Sequence, residues 1–345
     1  MRCKVFEYQK NKMNMNKTYY SSILNQYLVG VDNCKDKNKC VEYSDGSFYN
    51  SMSEFYQSKI TLLLWGSTPS NVMFDNVHLL DIEPPEECLY LKDIPSFIKD
   101  FKKLKVLSMP LIYALAIKDN SIPESVIQLS LINDLSQTDN LGVNKKERIQ
   151  NLLFPNVTYP NIKSLHLITS STATMQADGY LNLNESNFPN LEFLRCMSNH
   201  KDKYPLLKNF TNLKHLWVSV YKDTNIFDQI ESPLISLNID GAGSDFRIQE
   251  MVKLSSLEII RINSCYNEFD CKELLKLPEL KEIILLNSKK IKNVESLLDM
   301  PSLKSLDVLD CKGAFTKQQK VLFKNNIDRF ERLSIDYAYG FNLIN

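Results

Sequence analysis

The chain lacks any long hydrophobic run. Its longest apolar stretch near the start, ITLLLWG at residues 60–66, is far too short to span a bilayer, and the opening MRCKVFEYQKNKMNMNK carries basic residues without the apolar core of a signal peptide. These absences predict a soluble, cytoplasmic protein without membrane contact. Net charge is also lacking: Lys+Arg and Asp+Glu are 41 each among 345 residues, so no overall field draws the chain to nucleic acid. Histidine is scarce, and none of the four, His78, His166, His200 and His215, stands in a motif with an acid or a second histidine. No nucleophile elbow, phosphate-binding lysine loop or metalloprotease helix occurs. The expectation is a protein that is not an enzyme, with no catalytic residues, no metal and no cofactor.

Eight cysteines, Cys3, Cys34, Cys40, Cys88, Cys196, Cys265, Cys271 and Cys311, are scattered in the manner of reduced thiols rather than of a disulfide framework. Cys34 to Cys40 and Cys265 to Cys271 are spaced too widely for ordinary zinc half-sites. Four Asn-x-Ser/Thr triplets, at Asn16, Asn156, Asn184 and Asn209, are no more than composition supplies in a chain this rich in Asn, Ser and Thr.

What is present is a period. LPELKEIILLNS at 277–288 is followed 23 residues later by MPSLKSLDVLDC at 300–311, and both place apolar residues at positions 1, 4 and 6 of one template. The template recurs at Leu104, Ile162, Leu191, Leu213, Leu234, Leu257, Leu280 and Leu303, and from Leu191 the starts fall 22, 21, 23, 23 and 23 residues apart. Weaker units begin at Val77, Val126 and Phe330, and ITLLLW has a register that its uniform apolarity leaves open. Positions 4 and 6 lie on one face of a short strand, and 3, 5 and 7 on the other. Segments such as NVESLLDM and DFRIQEMVKL have helical spacing and return the chain to the next strand.

This pattern resembles the leucine-rich repeat family, in a cytosolic type with irregular 21–23-residue repeats, whose unit reads L-x-x-L-x-L-x-x-N/C-x-L. The ninth position is Asn199, Cys265 and Cys311 in three units. It departs to Ser170, Tyr221, Ala242 and Ser288 in others, which puts the side-chain ladder at that turn in doubt there. The resemblance implies an α/β fold: a leucine-rich repeat solenoid, a curved horseshoe with a parallel β-sheet on the concave face and short helices on the convex face. Residues 59–345 are assigned to it, with about 10–12 repeats that are irregular before 160. The 36-residue spacing from Val126 to Ile162 implies an insertion with its own short helix. Residues 1–58 lack the template; Asp45-Gly46 between two alternating runs predicts a β-hairpin, and the segment is assigned as an N-terminal cap.

Position 5, read from the unit at Val77 to the one at Phe330, gives Asp81, Ser108, Ser130, His166, Arg195, Trp217, Asn238, Arg261, Ile284, Asp307 and Ser334. Its middle carries Arg and Trp, the residue types enriched in binding hot spots. The chain has seven arginines, and three of them, Arg195, Arg261 and Arg332, fall on ladder positions of the concave face, where the partner is expected to bind. Asp81, Asp240, Glu282 and Asp307 share that surface, so the sign is mixed, unlike the continuous basic groove that nucleic acid prefers. The reading is a protein-protein interaction module that holds a protein or peptide through His166, Arg195, Trp217, Asn238 and Arg261. The alternative is a secreted or delivered effector, or the substrate-recognition part of an enzyme system. Replacing Arg195 and Trp217 is expected to abolish capture and to leave the melting temperature nearly unchanged. Asp240-Gly241-Ala242-Gly243 precedes a helical segment, yet it sits inside the repeat register, so a strand-to-helix turn is preferred over a dinucleotide loop.

Overall fold

The structure, a computed structural model, describes residues 41–42, 48–49, 60–64, 74–75, 77, 79–83, 94–133, 154–169, 182–197, 207–218, 225–244 and 246–337. Two short strands come first, β1 (Val41–Glu42) and β2 (Phe48–Tyr49), paired antiparallel with Val41 opposite Tyr49. The remaining described residues form two compact units that divide after Phe193.

In the first unit five parallel strands follow one another in chain order: β3 (Ile60–Leu64), β4 (Leu79–Glu83), β5 (Val106–Pro110), β6 (Gln128–Asn133) and β7 (Ser164–Thr169). The second unit holds β8 (Phe193–Met197) from Leu194 on, β9 (His215–Val218), β10 (Ser236–Gly243), β11 (Ile259–Cys265), β13 (Glu282–Leu286), β15 (Ser305–Leu309) and β16 (Arg332–Tyr337), again neighbours in that order. Between them a minor parallel pair forms from β12 (Phe269–Asp270) and β14 (Ile291–Lys292).

Strands this short and this regularly spaced form because each unit's apolar positions have one face to bury. Leu257, Ile260 and Ile262, then Leu280, Ile283 and Leu285, then Leu303, Leu306 and Val308 are all at most 1% exposed. No unit covers these side chains alone, so each is sealed by the units on either side. The pairing keeps template positions in step: Trp217 lies opposite Asn238, Asn238 opposite Arg261, Arg261 opposite Ile284, Ile284 opposite Asp307 and Asp307 opposite Ser334. In the first unit Asp81, Ser108, Ser130 and His166 align the same way. The open register of ITLLLW resolves with Thr61 opposite Leu80 and Leu63 opposite Ile82.

The strands end in a turn that recurs with the period. Gly241, Ser264, Asn287 and Asp310, each 23 residues after the last, all have positive φ, between 44° and 67°. Glycine adopts that conformation freely and Asn and Asp tolerate it, whereas Ser264 is strained. One residue later comes the ninth position. There the Cys265 N–H donates to Ser288 Oγ at 3.2 Å, and the Ser288 N–H donates to Cys311 Sγ at 3.3 Å. Ser288 therefore carries the ladder that its departure from Asn or Cys had put in doubt.

The return segments are shorter than their helical spacing suggests. DFRIQEMVKL contains a single α-helical turn, Ile248–Met251, and NVESLLDM a 3-10 turn, Val294–Asp299, matched one period earlier by Cys271–Lys276. The longer helix is Lys317–Asn325, opened by a capping box in which Thr316 Oγ1 accepts from the Gln319 N–H. Asp270, Asn293 and Thr316, again 23 apart, stand at the three entries, and Asn293 Nδ2 donates to Asp270 Oδ1 at 2.8 Å. The insertion helix expected between Val126 and Ile162 falls largely on residues 134–153, outside the described residues.

Candidate functional site

In-register stacking brings the side chains of positions 5 and 7 of neighbouring strands within reach of one another on the side of the sheet away from the leucines. The Arg195 guanidinium lies over the Trp217 ring at 3.9 Å from its centroid. Trp217 Nε1 donates to Asp240 Oδ2 at 2.7 Å, while Asp240 Oδ1 accepts from Arg261 NH1 at 2.9 Å and from Asn263 Nδ2 at 3.2 Å. The same Arg261 nitrogen donates to Asn238 Oδ1 at 2.8 Å. One chain of contacts thus runs across β8, β9, β10 and β11.

Its hub is Asp240, which sequence reasoning placed only on the flank. The signal was available: position 7 of β10 lies diagonal to position 5 on both neighbours, so an acid there sits between Trp217 and Arg261. Burial pushes the Asp240 carboxyl up, but the charge of Arg261 and the hydrogen bonds from Arg261, Trp217 and Asn263 outweigh it and hold the group below its ordinary value.

Four of the expected residues, Arg195, Trp217, Asn238 and Arg261, meet in this cluster. His166 lies in the first unit, where its Nε2 is 3.0 Å from Ser164 Oγ and its ring tilts against Phe193. Trp217 is 9% exposed, Arg261 7% and Asn238 4%, so these side chains are wired into the sheet rather than standing proud of it. That changes the stability expectation: replacing Trp217 unseats Asp240 and costs melting temperature as well as surface. Arg195, half-buried, is the most exposed of the four.

A second polar cluster lies farther along the same face. Arg332 NH2 donates to Glu282 Oε1 at 2.7 Å and lies 2.8 Å from Asp307 Oδ2, with the Glu282 side chain fully buried. Two carboxylates share one guanidinium, and burial pushes Asp307 up further than Arg332 and Ser334 bring it down.

The glycine segment is a strand end. β10 runs through Gly243 with a register break between Asp240 and Gly243, and the following helix is a single turn opened by an extended Arg247. Cys196, Cys265, Cys271 and Cys311 are buried free thiols, and burial pushes each up, Cys311 to about 11. Cys34 and Cys40 lie outside the described residues. Among the described residues there is no group of three His, Cys, Asp or Glu placed to hold a metal ion, and no helix is long and apolar enough to cross a membrane.

No family model matches the chain, and no curated protein matches it. Solved structures do. An internalin of Listeria monocytogenes is 16% identical over 85% of this chain and 71% of that one, with a TM-score of 0.38. A leucine-rich repeat protein of Leptospira interrogans is 12% identical over 93% and 99%, with a TM-score of 0.34. The TLR13 chain of a TLR13–ssRNA13 complex is 17% identical over 68% of this chain and 39% of its own, with a TM-score of 0.35. The assignment of this chain's architecture as a leucine-rich repeat solenoid rests on its own period, parallel register and ninth-position ladder.

Proposed function

We propose that this leucine-rich repeat solenoid is a protein-interaction module, and that the outward face of its second unit's sheet, centred on Arg195 and Trp217, receives a protein or peptide. The observation that carries the reading is the guanidinium held 3.9 Å over the indole, whose N–H is pinned by Asp240. An Arg and a Trp are costly to immobilise at an interface, about 0.5 to 1.5 kcal/mol per side chain, and here the ordering precedes any encounter. Acids and bases alternate on this face, which suits a partner of mixed charge better than a polyanion.

The experiment is capture from a lysate of the organism that encodes the chain, using wild type, Arg195→Glu and, on the helical side, Lys208→Glu. Arg195→Glu reverses the half-exposed charge without opening a cavity. A protein retained by wild type and Lys208→Glu but not by Arg195→Glu supports the reading. Equal retention by all three, with unchanged circular dichroism, overturns it. Trp217→Phe, which keeps an aromatic ring but loses the bond to Asp240, is expected to weaken capture about tenfold.

A further inference from the structure

The helical side of the second unit carries an apolar stripe. Leu275, Leu298 and Val321 are each one period apart, within Cys271–Lys276, Val294–Asp299 and the helix Lys317–Asn325, while Val252, one period before Leu275, is buried. Leu275 is 44% exposed, Val321 58% and its neighbour Leu322 41%, which makes three of the five exposed large apolar side chains among the described residues. Gathering them along one line of the stack makes a patch rather than scattered singles, and such patches mark interaction surfaces.

The flanking charges say what covers it. Lys272 and Lys276 frame Leu275, while one period later Glu295 and Asp299 occupy the same two positions around Leu298. The sign reverses between neighbouring turns, so the face is complementary to itself after rotation by half a turn. We propose that this stripe is the contact between two copies of the chain, related by a two-fold axis that lies in the face, parallel to the short helices, between Cys271–Lys276 and Val294–Asp299. That operation sets Leu275 against Leu298 of the partner subunit and Val321 against the turn Ile248–Met251 of the partner subunit. Lys276 meets Asp299 of the partner subunit, and Lys272 meets Glu295 of the partner subunit. Being isologous, every pairing occurs twice. A two-fold axis along the stack would instead keep the units in the same order, reverse the helices and set Lys276 against Lys272 of the partner subunit.

The charges already have local partners that hold them at the rim: Lys276 Nζ lies 2.6 Å from Glu273 Oε2, and Glu295 Oε2 accepts from Gln319 Nε2 at 2.6 Å. They set orientation, and Leu275, Leu298, Val321 and Leu322 supply the association.

Sedimentation equilibrium of the full chain from about 1 to about 200 μM tests this. Wild type is expected to show a concentration-dependent dimer, and Val321→Glu a monomer throughout. Lys276→Asp and Asp299→Lys are each expected to weaken the dimer about tenfold, and the two together to restore it, because the swap re-forms both symmetric pairs. Circular dichroism verifies folding, and if Val321→Glu fails to fold, the swap series decides. A wild-type chain that stays monomeric across the range overturns the proposal, as does a double swap no tighter than the singles. A monomer that binds a different protein through this face overturns it as well.

Discussion

Asp240 accepts three hydrogen bonds, from Trp217, Arg261 and Asn263, and it is the carboxylate that neutralises the nearly buried Arg261. Breaking a buried pair from one side strands the other charge, which costs about 3 kcal/mol. Asp240→Asn is therefore expected to lower unfolding stability in urea by about that amount at neutral pH. The loss depends on pH with a definite sign. The folded carboxyl titrates below its ordinary 3.8, so its contribution is complete above that value and disappears as pH falls through the lower folded value. The gap between wild type and Asp240→Asn should narrow in acid; a gap that stays constant from neutral pH into the acid limb contradicts the assignment. Asp307 behaves oppositely, because burial raises it, so stability falls as pH rises from its ordinary value through the raised one and stays lower above it. Which residues stand at position 5 follows from the template alone. That Asp240 ties two of them together does not, because a diagonal contact depends on the register of neighbouring strands.

At the scale of the element, the repeated turn is held by side chains that replace one another chemically. Ser288 accepts from the Cys265 N–H, donates its hydroxyl to the Leu286 carbonyl and takes its place between two cysteines. Ser288→Ala, close in volume but without an acceptor, leaves that buried N–H without its partner and is expected to cost about 1 to 3 kcal/mol, whereas Ser288→Cys restores the neighbouring units' chemistry and should cost less than half as much. Chemical denaturation distinguishes the two, and equal losses would show that volume rather than the ladder governs the turn. The strands from β8 onward are legible because the template returns every 21 to 23 residues, which fixes the register even where a strand such as β13 is apolar on both faces. β3 was not, since Ile60, Leu62, Leu63 and Leu64 satisfy a pattern shifted by one as well as the real one; only pairing with β4 decides it. The helical spacing of NVESLLDM was read correctly as a return segment, but its six-residue turn is too short to distinguish a 3-10 from an α-helical path by periodicity.

At the scale of the whole molecule, a stack of near-equivalent units implies that one of them can be taken out. Residues 280–302 form one period, and their removal joins Glu279 to Leu303, giving LPELKSLDV, which still carries the template. β11 then meets β15 with Ile260 opposite Leu306 and Arg261 opposite Asp307, since both currently pair through the same positions of β13. The core faces remain continuous, because Ile283 and Leu285 leave together with the faces they covered. Nearest-neighbour stabilisation predicts a folded chain with nearly the same circular dichroism per residue and a moderately lower melting temperature. Removing only residues 280–290 is a different perturbation of smaller size: it places the turn residues of one unit where the next strand belongs and should abolish the cooperative transition. The arrangement around Arg195, Trp217, Asp240 and Arg261 lies upstream of the cut, so the shortened chain should keep the partner recovered by wild type. It loses Asp299 and Leu298, however, and with them the two-fold contact. Folding that survives the half-period deletion and fails with the full period would contradict the equivalence of units on which both surfaces depend.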